Sequence, residues 1–268
     1  MNVCYHLMKM DVDSTIITQV GNDADGRAIK SEMDRLGIDG LYCFTSAVKP
    51  TSTVEVRFSG TNNAIYEIVE DVSWDDIRIT NAVEELVKES DAFVYGSLVA
   101  RSLVSRETLL YLLSLSSRRV FDINLRSPYY DKSLITELIT YADLLKLNED
   151  ELKIVSGWLG INGADVIEQL NGILQNFPNL KEILYTRGED GAVYCSHEGV
   201  ETVEALKVIV QDTVGSGDSF LAAFLATRFR GMGVKQALRS AASLSGFIAT
   251  QKGACPEYDP SKINGIQL

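Results

Sequence analysis

Apolar and polar positions follow two rhythms along this chain. Residues 14–20 (STIITQV) form a short apolar run that predicts a buried strand ending at Gly21. From Gly26 to Leu36 the spacing turns helical, and Gly37 stands where such a helix closes in a left-handed turn. Residues 41–70 differ again. Val54, Val56 and Phe58 alternate with Glu55, Arg57 and Ser59, and Gly60-Thr61-Asn62-Asn63 separates this run from AIYEIVE. That pattern predicts an antiparallel hairpin with one apolar face, its other face wet or covered by a partner.

From residue 80 the apolar strands and amphipathic helices take turns. Helices are expected over 80–88, 104–116, 133–141 and 163–176, and strands over 92–96, 119–123, 143–147 and 182–186. A hairpin region (191–210) and two long helices (216–230, 234–250) complete the chain. Ser105 is a plausible cap for the second of the four helices. Short apolar strands alternating with helices imply an α/β fold, a mostly parallel sheet covered on both faces. In such sheets ligands sit at the carboxyl ends of the strands, so chemistry is sought just after them. No internal repeat or low-complexity linker divides the sequence.

Composition narrows the classes. The 268 residues are 46% apolar and 23% charged, which is globular and ample for a core. With 25 basic and 37 acidic residues the net charge is −12, which disfavours nucleic acid as a partner. No apolar run is long enough to span a membrane, and Lys9, Asp11 and Asp13 break any leader-like start. Cys4, Cys43, Cys195 and Cys255 are scattered without a CxxC pair, so reduced thiols in the cytoplasm are expected. His6 and His197 are too few for a histidine-rich zinc site.

The segment richest in chemistry is Asp212-Thr213-Val214-Gly215-Ser216-Gly217-Asp218-Ser219-Phe220, leading into the small-residue helix LAAFLA. Two glycines let backbone approach a ligand, and the opening helix offers unpaired N–H groups to an anion. A carboxylate at Asp218, beside an anion hole, makes sense if it takes a proton from an attacking hydroxyl. No Gly-Lys-Ser/Thr follows, so this is no Walker loop, and the third glycine of a dinucleotide fingerprint falls on Phe220. A dinucleotide-binding oxidoreductase is thereby disfavoured. An ordinary glycine-capped helix start is the plain alternative.

The full string DTVGSGDSFLAAF resembles the carboxyl-side signature of the ribokinase-like (PfkB) carbohydrate kinases, DTxGAGD. The resemblance implies a ribokinase-like three-layer α/β/α sandwich, with a kinase domain over 1–40 and 71–268 and a small β-sheet lid over 41–70. It implies Asp218 as catalytic base and the Gly215, Ser216 and Gly217 amides as the anion hole. Phe121-Asp122-Ile123-Asn124-Leu125-Arg126 resembles the D-x-N-x-R segment of the fructokinase and ketodeoxygluconate kinase branch. It implies that Asp122 and Asn124 contact the sugar and that Arg126 lies near sugar or phosphoryl group, where a guanidinium can stabilise transferring oxygens. An Asp122–Arg126 salt bridge is the structural alternative.

Further segments resemble the same family. Asn148 and Glu151 match its N-x-x-E element, which implies Mg²⁺ held partly through water; the same pair also reads as a capping box. Tyr185-Thr186-Arg187-Gly188-Glu189-Asp190-Gly191 resembles its T-x-G-x-x-G turn, implying that Thr186, Gly188 and Gly191 contact the nucleotide. Gly253 falls in its terminal G-A loop beside adenine, and with Asp212 this loop implies a possible site for a monovalent cation such as K⁺. Pro50-Thr51-Ser52-Thr53-Val54, Gly96-Ser97-Leu98 and Val104-Ser105-Arg106-Glu107-Thr108 resemble fructokinase segments, with Ser52 where Gly is usual.

One part of the pattern is missing. The family's first strand, its sugar-binding Asp and its Gly-Gly turn have no counterpart here. The chain opens with Met1-Asn2-Val3, which matches the family only beyond that turn, and Asn2 falls at the sugar-binding Asn. The expectation is a start assigned too late, with an inactive remnant as the alternative. Taken together, the residues imply an ATP-dependent sugar kinase that phosphorylates a primary hydroxyl, most simply of fructose. Ketodeoxygluconate, ribose or a nucleoside are alternative acceptors, and a homodimer through the lid is expected.

Overall fold

The computed structural model describes residues 1–58 and 64–266. The first half contains α1 (Asn2–Lys9), β1 (Thr18–Gly21), α2 (Ala24–Leu36), β2 (Cys43–Ser46), β3 (Val54–Phe58), β4 (Ala64–Ile68), α3 (Asn81–Glu89), β5 (Phe93–Gly96), α4 (Leu103–Leu115) and β6 (Arg119–Asp122). The second half contains α5 (Lys132–Tyr141), β7 (Leu144–Asn148), α6 (Glu149–Leu159), α7 (Val166–Asn176), β8 (Glu182–Thr186), β9 (Ala192–Ser196), β10 (Gly199–Val203), α8 (Ser216–Phe229) and α9 (Val234–Ala249). Packing groups Met1–Ser14, Ala92–Leu98 and Arg118–Leu268 into one compact unit, and Thr15–Asp91 with Val99–Ser117 into another.

The larger unit is built on a six-stranded sheet in the order β10-β9-β8-β7-β6-β5. β5 to β8 run parallel, while β9 and β10 are antiparallel additions. Helices cover both faces, as successive residues of β9 show. Tyr194 stacks on Phe224 of α8, while the next residue, Cys195, reaches Asn171 of α7 on the opposite face. Alternation along a strand requires this arrangement. The strands are correspondingly apolar: Val120, Phe121, Leu144, Leu145, Leu147, Ile183 and Leu184 are fully buried.

Helix α8 is unusual in being buried on every side from Ser219 to Thr227. A helix apolar all round belongs inside a domain rather than on its surface. Its alanines at 222, 223 and 226 have no bulk to keep neighbours away. Its head therefore lies at a fixed place at the edge of a dense core.

The smaller unit carries two short sheets, β1 with β2 in parallel and β3 with β4 antiparallel. The strand expected over 14–20 is confined to Thr18–Gly21, because its partner β2 supplies only four residues to pair with. The expected hairpin is present as β3 and β4, with Val54 opposite Ile68; its turn at Gly60-Thr61-Asn62-Asn63 lies outside the described residues. Asp23 caps α2 and also accepts from the Thr51 amide and hydroxyl, tying the Pro50-Thr51 segment to that helix. Arg101 forms a buried bidentate pair with Asp75 and lies 4.0 Å above the Trp74 ring.

Ser105 does not cap α4. Ser102 is the cap, accepting from the Ser105 amide, and the buried Ser105 hydroxyl instead accepts from Ile77 N and donates to the Trp74 carbonyl. Likewise the hairpin region expected to reach residue 210 ends at Val203, opposite the first residue of β9.

Candidate active site

The carboxyl ends of β6, β7 and β8 bring the predicted residues together. In the parallel register Asp122 of β6 stands beside Lys146 of β7, and Asn148 at the end of β7 stands beside Thr186 of β8. The chain turns sharply after each strand. Asn124 adopts φ 46°, and Gly188 and Gly191 have φ 51° and 87°. At Gly191 a Cβ would lie 2.0 Å from the Val203 carbonyl oxygen, so only glycine fits there.

Across from these ends lies the head of α8. Gly215 is its N-cap in a left-handed conformation (φ 83°), and no side chain caps the helix. A Cβ on Gly215 would sit 2.7 Å from both Cα and Cβ of Ala254, so the two backbones touch. The Ser216 amide donates to the Thr213 carbonyl, and the buried Ser216 hydroxyl has no hydrogen-bond partner among the described residues. A helix start with an uncapped positive end and an unsatisfied hydroxyl is chemically suited to an anion.

Asp218 lies in the first turn of this helix, half-buried, and its Oδ2 accepts from Asn2 Nδ2 at 2.8 Å. That partner is a neutral amide, so this contact forms no ion pair. The other end of the Asn2 side chain accepts from Cys255 Sγ at 3.4 Å. Asn2, expected to grip the sugar, thus also orients the expected base.

Asp122 is paired with Lys146 and not with Arg126. Lys146 Nζ donates to both carboxylate oxygens at 2.9 and 3.0 Å, and both side chains are buried. Burial pushes the Asp122 carboxyl up, an effect that Lys146 opposes; Asp122 in turn holds the Lys146 ammonium above its usual value, against burial. The ammonium also lies against the backbone of Gly217, 3.3 Å from where a Cβ would stand. Lys146 is the residue that sequence reasoning missed. Its signal is a lone cation inside the apolar run LLKLN, one strand away from an aspartate. Arg126 is exposed on the loop after β6, its guanidinium donating to the Leu125 carbonyl.

Asn148 and Glu151 form a reciprocal cap on α6. Asn148 Oδ1 accepts from the amides of Asp150 and Glu151, and Glu151 Oε2 accepts from Asn148 N. Glu151 Oε1 accepts from Leu125 N, and burial raises its pKa despite these bonds. Both oxygens are already used once, which fits a hydrated cation held through its waters better than direct ligation. Among the described residues no cluster of three His, Cys, Asp or Glu side chains could hold a metal ion. Asp212 accepts from the amides of Val214 and Gly253, which hold its pKa below the usual range. It thus joins the loop before α8 to the terminal loop, where Gly253 has φ 75°.

The sequence pattern of the pfkB family carbohydrate kinases matches residues 1–260. The chain belongs to the pfkB family. A protein named as a sugar kinase in Pyrococcus horikoshii is 26% identical over 262 residues, covering 94% of this chain and 79% of the relative. Its crystal structure in complex with ATP matches with a TM-score of 0.78, over 95% of this chain and 82% of that one. Fructokinase-1 of Oryza sativa subsp. japonica is 24% identical over 287 residues, covering all of this chain and 86% of the relative. The fructokinase of Vibrio cholerae, bound to fructose, ADP and calcium, is 20% identical with a TM-score of 0.78, over 95% of this chain and 85% of that one. The expected ribokinase-like α/β fold and carbohydrate kinase class are therefore those of this pfkB protein. No helix among its described residues is long and apolar enough to cross a membrane.

Proposed function

We propose that this pfkB protein is an ATP-dependent fructokinase in which Asp218 is the catalytic base. The observation that carries the reading is the head of α8: an uncapped helix start at Gly215, with a half-buried carboxylate held by an amide in its first turn. In the proposed reaction the sugar's primary hydroxyl gives its proton to Asp218, and its oxygen attacks the γ-phosphorus of ATP. The bond to the bridging oxygen breaks and ADP leaves, while the Gly215–Gly217 amides receive the charge on the transferring oxygens. Asp218 stays aimed at the hydroxyl because Asn2 holds its other oxygen. Lys146 grips both Asp122 oxygens at the sugar side and opposes the rise that burial gives that carboxyl, and Arg126 lies exposed on the loop from which it would reach the phosphoryl group.

Asn148 and Glu151 are the residues that would hold Mg²⁺, which when bound neutralises charge on the nucleotide phosphates. A monovalent cation beside Asp212 and a homodimer through residues 41–70 belong to the same proposal. The dimer rests on the alternation of Val54, Val56 and Phe58 in sequence.

A panel of sugars with ATP, read by ADP release, tests the assignment; fructose is expected to give the highest kcat/KM, and ketodeoxygluconate, ribose or a nucleoside in its place would reassign the acceptor. Asp218→Asn is expected to lower kcat by at least about a hundredfold while sparing ATP binding. Activity within a few-fold of wild type would remove Asp218 from the mechanism. Nucleotide binding with no sugar phosphorylated would identify a binding remnant instead.

A further inference from the structure

His6 lies fully buried on α1, and its two ring nitrogens meet partners of opposite kind. Nε2 is 2.9 Å from the Ala254 carbonyl oxygen, which can only accept. Nε2 therefore carries the proton, and Nδ1, 2.9 Å from the Tyr258 hydroxyl, accepts from it. Burial lowers the imidazole pKa to about 4, so the ring is neutral at physiological pH and one tautomer satisfies both bonds.

What this bond holds is the terminal loop at its contact with the anion hole. Ala254 is the residue whose Cα and Cβ abut Gly215. Its neighbour Gly253 is fixed through its amide by Asp212, so the 253–254 stretch is gripped at an N–H by one side chain and at a C=O by another. Helix α1 clasps the same loop elsewhere: the Tyr5 hydroxyl donates to the Pro256 carbonyl, and Lys9 pairs with Glu257. Of these three α1 side chains, His6 is the one bonded to the residue that touches Gly215. Without its N–H the Ala254 carbonyl would lose its donor in a part-buried place, and the peptide would turn to find another.

We infer that His6 is a positioning residue for phosphoryl transfer: through Ala254 it sets the backbone of Gly215 and hence the aim of the Gly215–Gly217 amides. The inference rests on reading those amides as the anion hole. It differs from a purely structural role because misaimed amides cost transition-state binding and leave sugar binding alone.

Three variants test it. His6→Phe keeps a buried ring but has neither donor nor acceptor; His6→Gln restores a donor; Tyr258→Phe removes only the hydroxyl that donates to Nδ1 and steadies the ring. His6→Phe is expected to lower kcat at least about tenfold with the sugar KM within about twofold of wild type. His6→Gln is expected to recover most of that loss, and Tyr258→Phe to shift kcat in the same direction by less. Amide hydrogen exchange without nucleotide or sugar is the second readout. It should rise over 212–219 and 253–258 in His6→Phe and stay unchanged over β6 and β7. A His6→Phe enzyme with wild-type kcat, or unaltered exchange over 212–219, overturns the inference. So does a His6→Gln enzyme no better than His6→Phe. If His6→Phe does not fold, unchanged kcat and exchange in Tyr258→Phe overturn it equally. An Asp218→Asn enzyme that stays active would instead sink the proposed mechanism at its base, and exchange would still report whether His6 governs Gly215.

Discussion

Removing Lys146 should destabilise the protein by an amount that depends on pH in a foreseeable way. The ammonium donates to both oxygens of Asp122, at 2.9 and 3.0 Å, and the pair is buried. Lys146→Met fills the space with an apolar chain and leaves a buried carboxylate without its cation. Losing one partner of a buried pair costs about 3–5 kcal/mol. The carboxylate can limit that cost by taking a proton. From an ordinary carboxyl pKa near 3.9, protonation at pH 7 costs about 4 kcal/mol at about 1.4 kcal/mol per unit. The two routes agree, and about 3–4 kcal/mol is the expected loss at pH 7. In Lys146→Met the Asp122 carboxyl, already pushed up by burial, loses the cation that opposes this, so the variant is favoured below the unfolded value and loses stability as pH rises through it. The penalty should therefore shrink as pH falls, to about 1.5 kcal/mol at pH 5. Asp122→Asn strands the lysine instead, and its penalty should shrink as pH rises toward about 10. The double variant should lose less than the sum of the singles by at least about 2 kcal/mol. Urea unfolding followed by circular dichroism at several pH values measures all of this. Additive losses, or a Lys146→Met penalty that is flat between pH 5 and 7, would refute the ionic account of this corner.

Other outcomes follow from the same geometry. Gly215→Ala meets Ala254 at 2.7 Å with φ 83°, so it should lower the melting temperature and the activity together. Gly217→Ala brings its Cβ to 3.3 Å from the Lys146 ammonium, which Asp122 holds in place, so it should lower the melting temperature less than Gly215→Ala while losing turnover. Thermal shift with ADP release separates the two. Bonds from the Thr51 hydroxyl, the Thr51 amide and the Gly26 amide pull the Asp23 carboxyl down to about 2. Its contribution is thus present above about pH 4 and is lost as pH falls toward 2. Asp23→Asn should flatten that acid limb, measured by thermal melts across pH 2–5.

Much of this molecule could be read from its residues. Apolar strands β5 to β8 announced themselves by their run and spacing, and DTVGSGD marked the head of α8, because both signals are local. What could not be read depends on partners far along the chain. β1 begins at Thr18 and not Ser14 because β2 supplies four residues, a length unrelated to the STIITQV pattern. Ser105 looked like a cap because a serine three residues earlier also fits, and only the buried acceptor at Trp74 and donor at Ile77 decide between them. Lys146 and His6 escaped notice for one reason: a polar residue in an apolar run shows its purpose only once its neighbour in space is known.

The tie between Asn2 and Asp218 spans 216 positions, and that between His6 and Tyr258 spans 252. Contacts between residues so far apart in sequence carry a large loop-closure entropy, so this corner holds only while the helices and strands between them stay packed. Loosening α1 or the 253–258 loop should therefore unsettle Asn2, His6 and Asp218 together.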